Sequence, residues 1–492
     1  MQGVLACSWS TSILSGARRR ANGGASAVVC RGCSNEDAST TNEPQSHARS
    51  VLGSATRIDS PPPLSSESVA STASTASTAS IESRTSSIES ILRETGRPFL
   101  EAVEMSSLSS LSSRYPRRRL NVAVLLSGGV DSSLALYLLH KIAGHNVTAF
   151  YLQIWFQEDF RNTWDACPWE EDLEYCRKVC AALGVPLETV PLTDEYWDRV
   201  VQHSIGEVRA GRTPNPDMLC NSRVKFGAFY EYLEANHADE FDRVASGHYA
   251  SLRDGLLALT PDVVKDQTYF LANLKPEQLR KAMFPLGGFD KPTVRALADL
   301  ADLPTKGRKD SQGICFLGKV KFDEFIKEHL GEWRGPLVDR ESGEVVGYHD
   351  GYWFYTVGQR KGIGLPGGPW FVVEKDPTWN VVVISRDMDV EVDVDVDVNR
   401  VFDCVDINWH CALSEKSEKS RRLRCKVRHG PHMYGCEVVQ ETPESLRVTL
   451  DAPDQGLAAG QYAVLYDEDD RCVCCGVIRL VNNNKGLHRG KK

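Results

Sequence analysis

No stretch of eighteen apolar residues occurs in the 492-residue chain, which excludes an ordinary membrane-spanning helix. A GxxxxGKS/T motif is also missing, which excludes a phosphate loop of the Walker type. The chain has fifteen cysteines, and the array of Cys167, Cys176 and Cys180 fits no standard zinc spacing. Cys167, Cys176 and Cys180 form C-x8-C-x3-C, and Cys472, Cys474 and Cys475 alternate across one strand-like run, so they cannot all face one metal. They are too scattered for a secreted disulfide scaffold, and a reducing compartment with some functional thiols is expected.

Charge is missing selectively. Residues 1–119 hold 13 Arg, no Lys and 10 acids, a net of +3, which leaves −12 on the rest of a chain whose total is −9. Such an acidic body excludes indiscriminate nucleic-acid binding, so any RNA site has to be a local basic patch. Residues 1–35 have no Asp or Glu but carry Arg18, Arg19, Arg20 and Arg31 among Ser and Ala. That is the composition of an organellar transit peptide, without the apolar core of a secretory signal. Residues 36–119 are serine-rich, with an STA repeat from Ser71 to Ala79, and are expected to stay disordered. An amphipathic helix around Ile88–Val103 is compatible with the pattern, without an assignable role.

What is present begins at Leu120. Leu120–Leu126 is an apolar run with the look of a buried strand, and Leu134, Leu138, Leu139 and Ile142 recur at helical spacing until Gly144. Between them lies Ser127-Gly-Gly-Val-Asp-Ser-Ser133. Strand, glycine turn and helix present unpaired N–H groups and the positive end of a helix dipole to an anion. The motif resembles the SGGxDS pyrophosphate loop of ATP pyrophosphatases, and by that resemblance Asp131 helps hold the Mg²⁺ that accompanies ATP.

A second strand at Asn146–Ile154, a helix at Leu173–Leu183 and a further strand after Pro186 imply a parallel, doubly wound α/β sheet with ligands at the strand C-termini. Next, GRTPNPDMLCN places Cys220 after a proline-rich loop, near the start of an amphipathic helix where a dipole favours the thiolate. A second thiol, Cys315, stands in KDSQGICFLG. Two thiols at one ATP-activating site suit sulfur transfer, with one carrying a persulfide and the other resolving it by disulfide formation.

SGGVDSS, GRTPNPDMLCN, ASGHYA, KDQTYFL, FPLGGFDKPTVR, KDSQGICFLG and TVGQRKGIGLPGG occur in that order over residues 120–368. Together they resemble the bacterial and organellar tRNA-specific 2-thiouridylase (MnmA) family, over roughly residues 120–480. The resemblance implies an ATP-dependent tRNA uridine 2-sulfurtransferase. Leu126, Ser127, Gly128, Gly129, Val130, Asp131, Ser132, Ser133, Leu152 and Gly247 would bind ATP. Cys220 would be the catalytic thiol, Cys315 the persulfide carrier, and Asp217 a group handling a proton. Asn215, Pro216 and Asp217 would touch the target base, while His248, Lys265, Asp266, Gln267, Arg428, His429 and Gln461 would contact tRNA. The implied cofactors are ATP and Mg²⁺ with protein-bound persulfide sulfur. The implied partners are U34-containing tRNAs of the Lys, Gln and Glu type and a sulfur donor such as a cysteine desulfurase or relay protein. Leu152–Leu173 resembles the cyanobacterial and plastid branch, which points to the plastid stroma, with the mitochondrion as alternative. The rival enzyme class is another adenylating enzyme of this superfamily, such as a 4-thiouridine synthase or an amidotransferase-type synthetase; the paired thiols count against the latter.

After Gly331 short β-rich runs follow at Val345–Gly347, Tyr352–Val357, Trp370–Glu374 and Val381–Ile384. GIGLPG (362–367) matches GxGxxG but opens no helix, so a dinucleotide site is rejected. Residues 388–398 alternate acid and valine, which reads as a surface hairpin or linker. Six runs between 399 and 480 predict a small antiparallel β-barrel, on which Arg421, Arg422, Arg424, Lys426 and Arg428 form a dense basic patch. The expected organisation is therefore a tail (1–119), an α/β ATP domain (120–318), a small central domain that supports tRNA (319–386), a barrel (387–484) and a basic tail (485–492).

Overall fold

The computed structural model describes residues 74–95, 97–103, 119–154, 168–309, 322–355, 357–386, 399–411, 420–454 and 456–481. Cys315, the transit-like segment, the acid–valine run and the basic tail lie outside the described residues.

The first domain carries β1 (Asn121–Leu125), β2 (Asn146–Gln153), β3 (Leu187–Pro191), β4 (Arg243–Ala245), a hairpin of β5 (Ser251–Arg253) and β6 (Leu256–Ala258), and β7 (Ala282–Met283). Five of these form one sheet in the order β3-β2-β1-β4-β7, with every pairing parallel. β1 is apolar on both faces because both are covered. Val122 and Val124 pack with the helix Val130–Tyr137, while Ala123 and Leu125 pack with the segment that holds Cys220. Strand order reverses between β1 and β4, and the crevice at their C-terminal ends is where such sheets bind ligands.

The expectation of a disordered tail fails for residues 74–103. Helices Ser74–Thr95 and Arg97–Ala102 fold back onto the α/β domain, and Ile88, Leu92, Phe99 and Val103 are buried in its core. Phe99 meets Phe289 at 5.7 Å, and Arg84 pairs with Asp302 at 3.2 Å. Buried His145 accepts from the Leu120 N–H at Nδ1 (3.3 Å) and donates from Nε2 to the Val103 carbonyl (2.9 Å). Serine-rich composition hid this because four apolar residues at helical spacing suffice when a core already exists. Each such side chain contributes about 1.5–3 kcal/mol on burial.

The central domain is a four-stranded sheet of β8 (Gly335–Asp339), β9 (Val345–His349), β10 (Phe371–Asp376) and β11 (Val381–Ser385), in the order β10-β11-β8-β9. Tyr352–Phe354, expected as strand, is a 3₁₀ turn with Tyr352 and Trp353 turned into the core. Gly362–Gly367 adopts an irregular turn and opens no helix.

The closed barrel consists of β12 (Val401–Trp409), β13 (Ser420–Lys426), β14 (Tyr434–Thr442), β15 (Ser445–Leu450), β16 (Tyr462–Tyr466) and β17 (Cys472–Leu480), joined as β12-β15-β14-β13-β16-β17. Cys474 fills the barrel interior, whereas Cys472 and Cys475 pack against the first domain. Cys475 Sγ lies 3.0 Å from the Ala272 carbonyl, to which His410 Nε2 also bonds at 2.7 Å.

Candidate active site

The turn after β1 is built as the motif predicts. Leu126 is buried, and its N–H bonds to the Phe150 carbonyl. Gly128 sits at φ +75°, and a Cβ there would lie 2.5 Å from the Asp172 carbonyl oxygen. Ser132 Oγ accepts from the Ser127 N–H at 3.1 Å, and Ser133 Oγ donates to the Gly129 carbonyl at 2.8 Å. These hydroxyls therefore fold the turn. Ser127 stays exposed at the crevice, and Val130 is buried beneath it. Gly247, just after β4, lies so close that a Cβ would stand 2.6 Å from the Ser132 nitrogen. Half-buried Leu152 ends β2 beside them. The ATP residues implied by the resemblance thus share one edge of the sheet.

Asp131 is more occupied than its motif implied. Lys291 Nζ donates to both carboxylate oxygens at 2.7 and 2.9 Å, and the Tyr249 hydroxyl donates at 2.8 Å. Among the described residues no group of three or more His, Cys, Asp or Glu could hold a metal ion. The donor set does not amount to a resident metal cage. It fits a Mg²⁺ that arrives with a triphosphate, for which Asp131 is the protein carboxylate at hand. Sequence reading missed Lys291 and Arg308. Lys291 stands in FPLGGFDKPTVR and Arg308 just before KDSQGIC, but neither reveals its partner without the fold. Arg308 donates to the Gly128 carbonyl at 2.9 Å and pairs with Asp172 at 2.8 Å, whose carboxyl burial pushes up against the lowering pull of Arg308.

The thiol segment runs as a helix Pro216–Leu219, a π-helical stretch Cys220–Ala228 and a helix Phe229–Asn236. Asn215 is the N-cap, its Oδ1 accepting from the Met218 N–H at 3.2 Å, and Pro216 takes the first helical position. Cys220 is 1 % exposed and opens the π-helical stretch, a distortion that recurs at functional sites. It lies beyond the first helical turn, so the dipole acts on it less than its sequence position promised. Asp217 is half-buried on the same turn. Phe226 of this segment packs 6.4 Å from His248, the neighbour of Gly247, which ties the thiol segment to the nucleotide loop. Half-buried His248 bonds Ser246 at 2.8 Å, and burial followed by the Lys225 charge pushes its pKa well down, so it is neutral.

The barrel completes the site from 246 residues away. Asn215 Nδ2 lies 3.4 Å from Gln461 Oε1, and Gln461 Nε2 donates to the Thr213 and Pro214 carbonyls at 3.2 and 3.1 Å. Gln461 therefore braces the loop expected to touch the target base. His429 stacks on Phe270 at 4.5 Å.

The triplet Lys265-Asp266-Gln267 divides. Lys265 is half-buried at the surface. Asp266 is 2 % exposed; its Oδ2 accepts from the Thr260 N–H (2.9 Å) and from the Thr260 and Thr268 hydroxyls, and its Oδ1 lies 3.7 Å from buried Lys426 of β13. Gln267 Oε1 accepts from the Tyr249 N–H at 2.9 Å. Asp266 and Gln267 thus hold the loop to its neighbours. The basic patch is likewise largely cancelled. Arg422 pairs with Asp451, Arg424 with Asp470, Arg428 with Asp454, and Lys426 faces Asp266.

Comparison with known proteins agrees with this architecture. Family models described as a tRNA methyl transferase HUP domain, a tRNA methyl transferase PRC-barrel domain and an aminomethyltransferase beta-barrel domain match residues 120–319, 323–386 and 380–478. The chain is 42% identical over 375 residues to the tRNA-specific 2-thiouridylase MnmA of Parabacteroides distasonis, covering 74% of this chain and 100% of that protein. It is 42% identical over 365 residues to that of Porphyromonas gingivalis, covering 73% and 99%. Among solved structures, the U34-tRNA thiolase NcsA from Methanococcus maripaludis, with its 4Fe-4S cluster, matches at 17% identity and a TM-score of 0.29, over 49% of this chain and 72% of that one. That likeness is too slight to bear on function.

Proposed function

The chain belongs to the tRNA-specific 2-thiouridylase family, and from that premise we propose how its own residues carry out the 2-thiolation of a tRNA uridine. The observation that carries the reading is the convergence of three parts. The phosphate loop touches Gly247, His248 packs on the Cys220 segment, and Gln461 of the barrel braces Asn215 ahead of that thiol.

ATP lies along the crevice between β1 and β4, with its phosphates on the turn Ser127–Gly129 and the N-terminus of the following helix. Asp131 is the carboxylate that would hold a Mg²⁺ bound to the triphosphate, which would offset charge on the departing pyrophosphate. The wobble uridine, U34, leaves the anticodon stack and enters beside Asn215–Asp217. Its C2 oxygen attacks the α-phosphorus; a P–O bond forms and the bond to pyrophosphate breaks. Oxygen at C2, a poor leaving group, thereby becomes the oxygen of AMP. The outer sulfur of a persulfide on Cys315 then attacks C2 and expels AMP. The Cys220 thiolate attacks the inner sulfur, which leaves 2-thiouridine and a Cys220–Cys315 disulfide, and a thiol reductant restores both thiols. Sulfur reaches Cys315 from a cysteine desulfurase or a relay protein, and the tRNAs are those with U34, of the Lys, Gln and Glu type. The acid-free, arginine-bearing front of the chain supports import into the plastid stroma, with the mitochondrion as the alternative; a fluorescent fusion of residues 1–73 reads out which.

The reaction is tested with tRNA carrying ¹⁸O at C2 of U34. The label is expected in AMP, one per 2-thiouridine formed. Label remaining in the RNA, or sulfur entering without AMP release, would overturn C2 adenylation.

A further inference from the structure

Taking the turn after β1 as the phosphate loop, as above, we propose that Arg308 is the positioning residue that aims this loop at the nucleotide. In a trans peptide the C=O and the following N–H point in opposite directions. Arg308 Nη1 holds the Gly128 carbonyl at 2.9 Å, so the Gly129 N–H of the same peptide points away from Arg308. That N–H has no hydrogen-bond partner among the described residues, as a donor kept for a ligand should.

Arg308 is itself held from several sides. Its guanidinium pairs with Asp172 at 2.8 Å, reaches Glu171 at 3.6 Å and lies 4.3 Å over the Tyr175 ring. Its own carbonyl accepts from Arg295 at 2.6 Å. The side chain is 19 % exposed, and the Nη1 that pairs with Asp172 is the one that reaches the loop. Gly128 sits at φ +75°, where a Cβ would strike the Asp172 carbonyl, so the turn that carries this peptide requires glycine. One nitrogen, Nη1, serves both the Gly128 carbonyl and the Asp172 carboxylate. Arg308 also lies seven residues before Cys315, so the segment that leads to the sulfur carrier is the one that sets the phosphate loop.

The test uses the full chain, Arg308→Gln and Arg308→Lys, with calorimetric titration of ATP–Mg²⁺ and of inorganic pyrophosphate, and thermal unfolding of each variant. Arg308→Gln is expected to weaken both ligands about tenfold in the same ratio, and Arg308→Lys about threefold, with melting temperatures within about 3 °C of the parent. A merely structural arginine would lower the melting temperature and leave both affinities within twofold, and that result would overturn the proposal. So would a lysine variant as weak as the glutamine variant, because the donor to Gly128 would then not matter. Should the unaltered chain bind neither ligand, the phosphate-loop reading falls, and the role of Arg308 with it.

Discussion

Cys220 is one thiol whose loss should separate chemistry from binding. Cys220→Ser changes one buried atom, so the fold and ATP binding should persist while 2-thiouridine formation falls at least about 100-fold in a nucleoside assay. Asp266 carries the opposite expectation. Asp266→Asn leaves Lys426 buried without its counter-charge, and urea unfolding should report a loss of about 3–5 kcal/mol. The double variant Asp266→Asn with Lys426→Met should recover most of that. If Asp266 instead contacted RNA, the single variant would keep its stability and lose tRNA affinity. His237 supplies a pH dependence. Burial lowers its pKa, but hydrogen bonds to Glu240 and Glu188 outweigh this and raise it. The imidazolium is thus favoured in the folded state, so its stabilisation is complete below about pH 6.5 and is lost as pH rises through the raised value. His237→Gln should therefore lower the melting temperature more at pH 6 than at pH 8.5; an equal loss at both would refute it. At this scale the glycine loop and Cys220 could be read from the motifs. The partners of Asp131 and Gly128 could not, because Lys291 and Arg308 stand 160 and 180 residues away along the chain.

Strands β1 to β3 and the barrel were legible because their apolar runs and turn residues agree with their burial, whereas β4 to β7 are only two or three residues long and left no such run. Two further segments differ from their reading. Tyr352–Phe354 has aromatic strand composition, yet its rings pack inward from a 3₁₀ turn. Of the helices at Ser74–Ala102, only the amphipathic pattern around Ile88–Val103 showed through the serine-rich sequence, and the matched family region begins only at residue 120. These helices cover the core beside Lys291–Leu300, the helix whose first residue holds Asp131. A chain trimmed before Leu120 should therefore melt at least about 5 °C lower than one trimmed before Ser74, since Phe99, Leu92, Ile88 and Val103 leave their sites bare. Equal melting temperatures would show that the helices add nothing to the domain.

Across the whole molecule, the barrel packs directly on the loop that precedes Cys220. The Tyr269 hydroxyl donates to the Tyr462 carbonyl at 3.0 Å, the Thr213 N–H bonds the Ala459 carbonyl at 2.6 Å, and Gln461 reaches Asn215. Sequence order alone placed these segments in different domains, and only their packing shows that the loop Thr213–Asn215 is shaped from both sides. The charge reading shifted for a similar reason. A run of five basic residues looked like a phosphate track, but acids brought in by neighbouring strands and turns pair with most of it. The most direct test of the account is therefore made on protein beginning at Ser74, with unmodified tRNA carrying U34, ATP–Mg²⁺ and a persulfide source, and with nucleosides read by mass spectrometry. The account predicts 2-thiouridine at position 34 only when ATP and both Cys220 and Cys315 are present. Undiminished 2-thiouridine from Cys220→Ser or Cys315→Ser protein would contradict it.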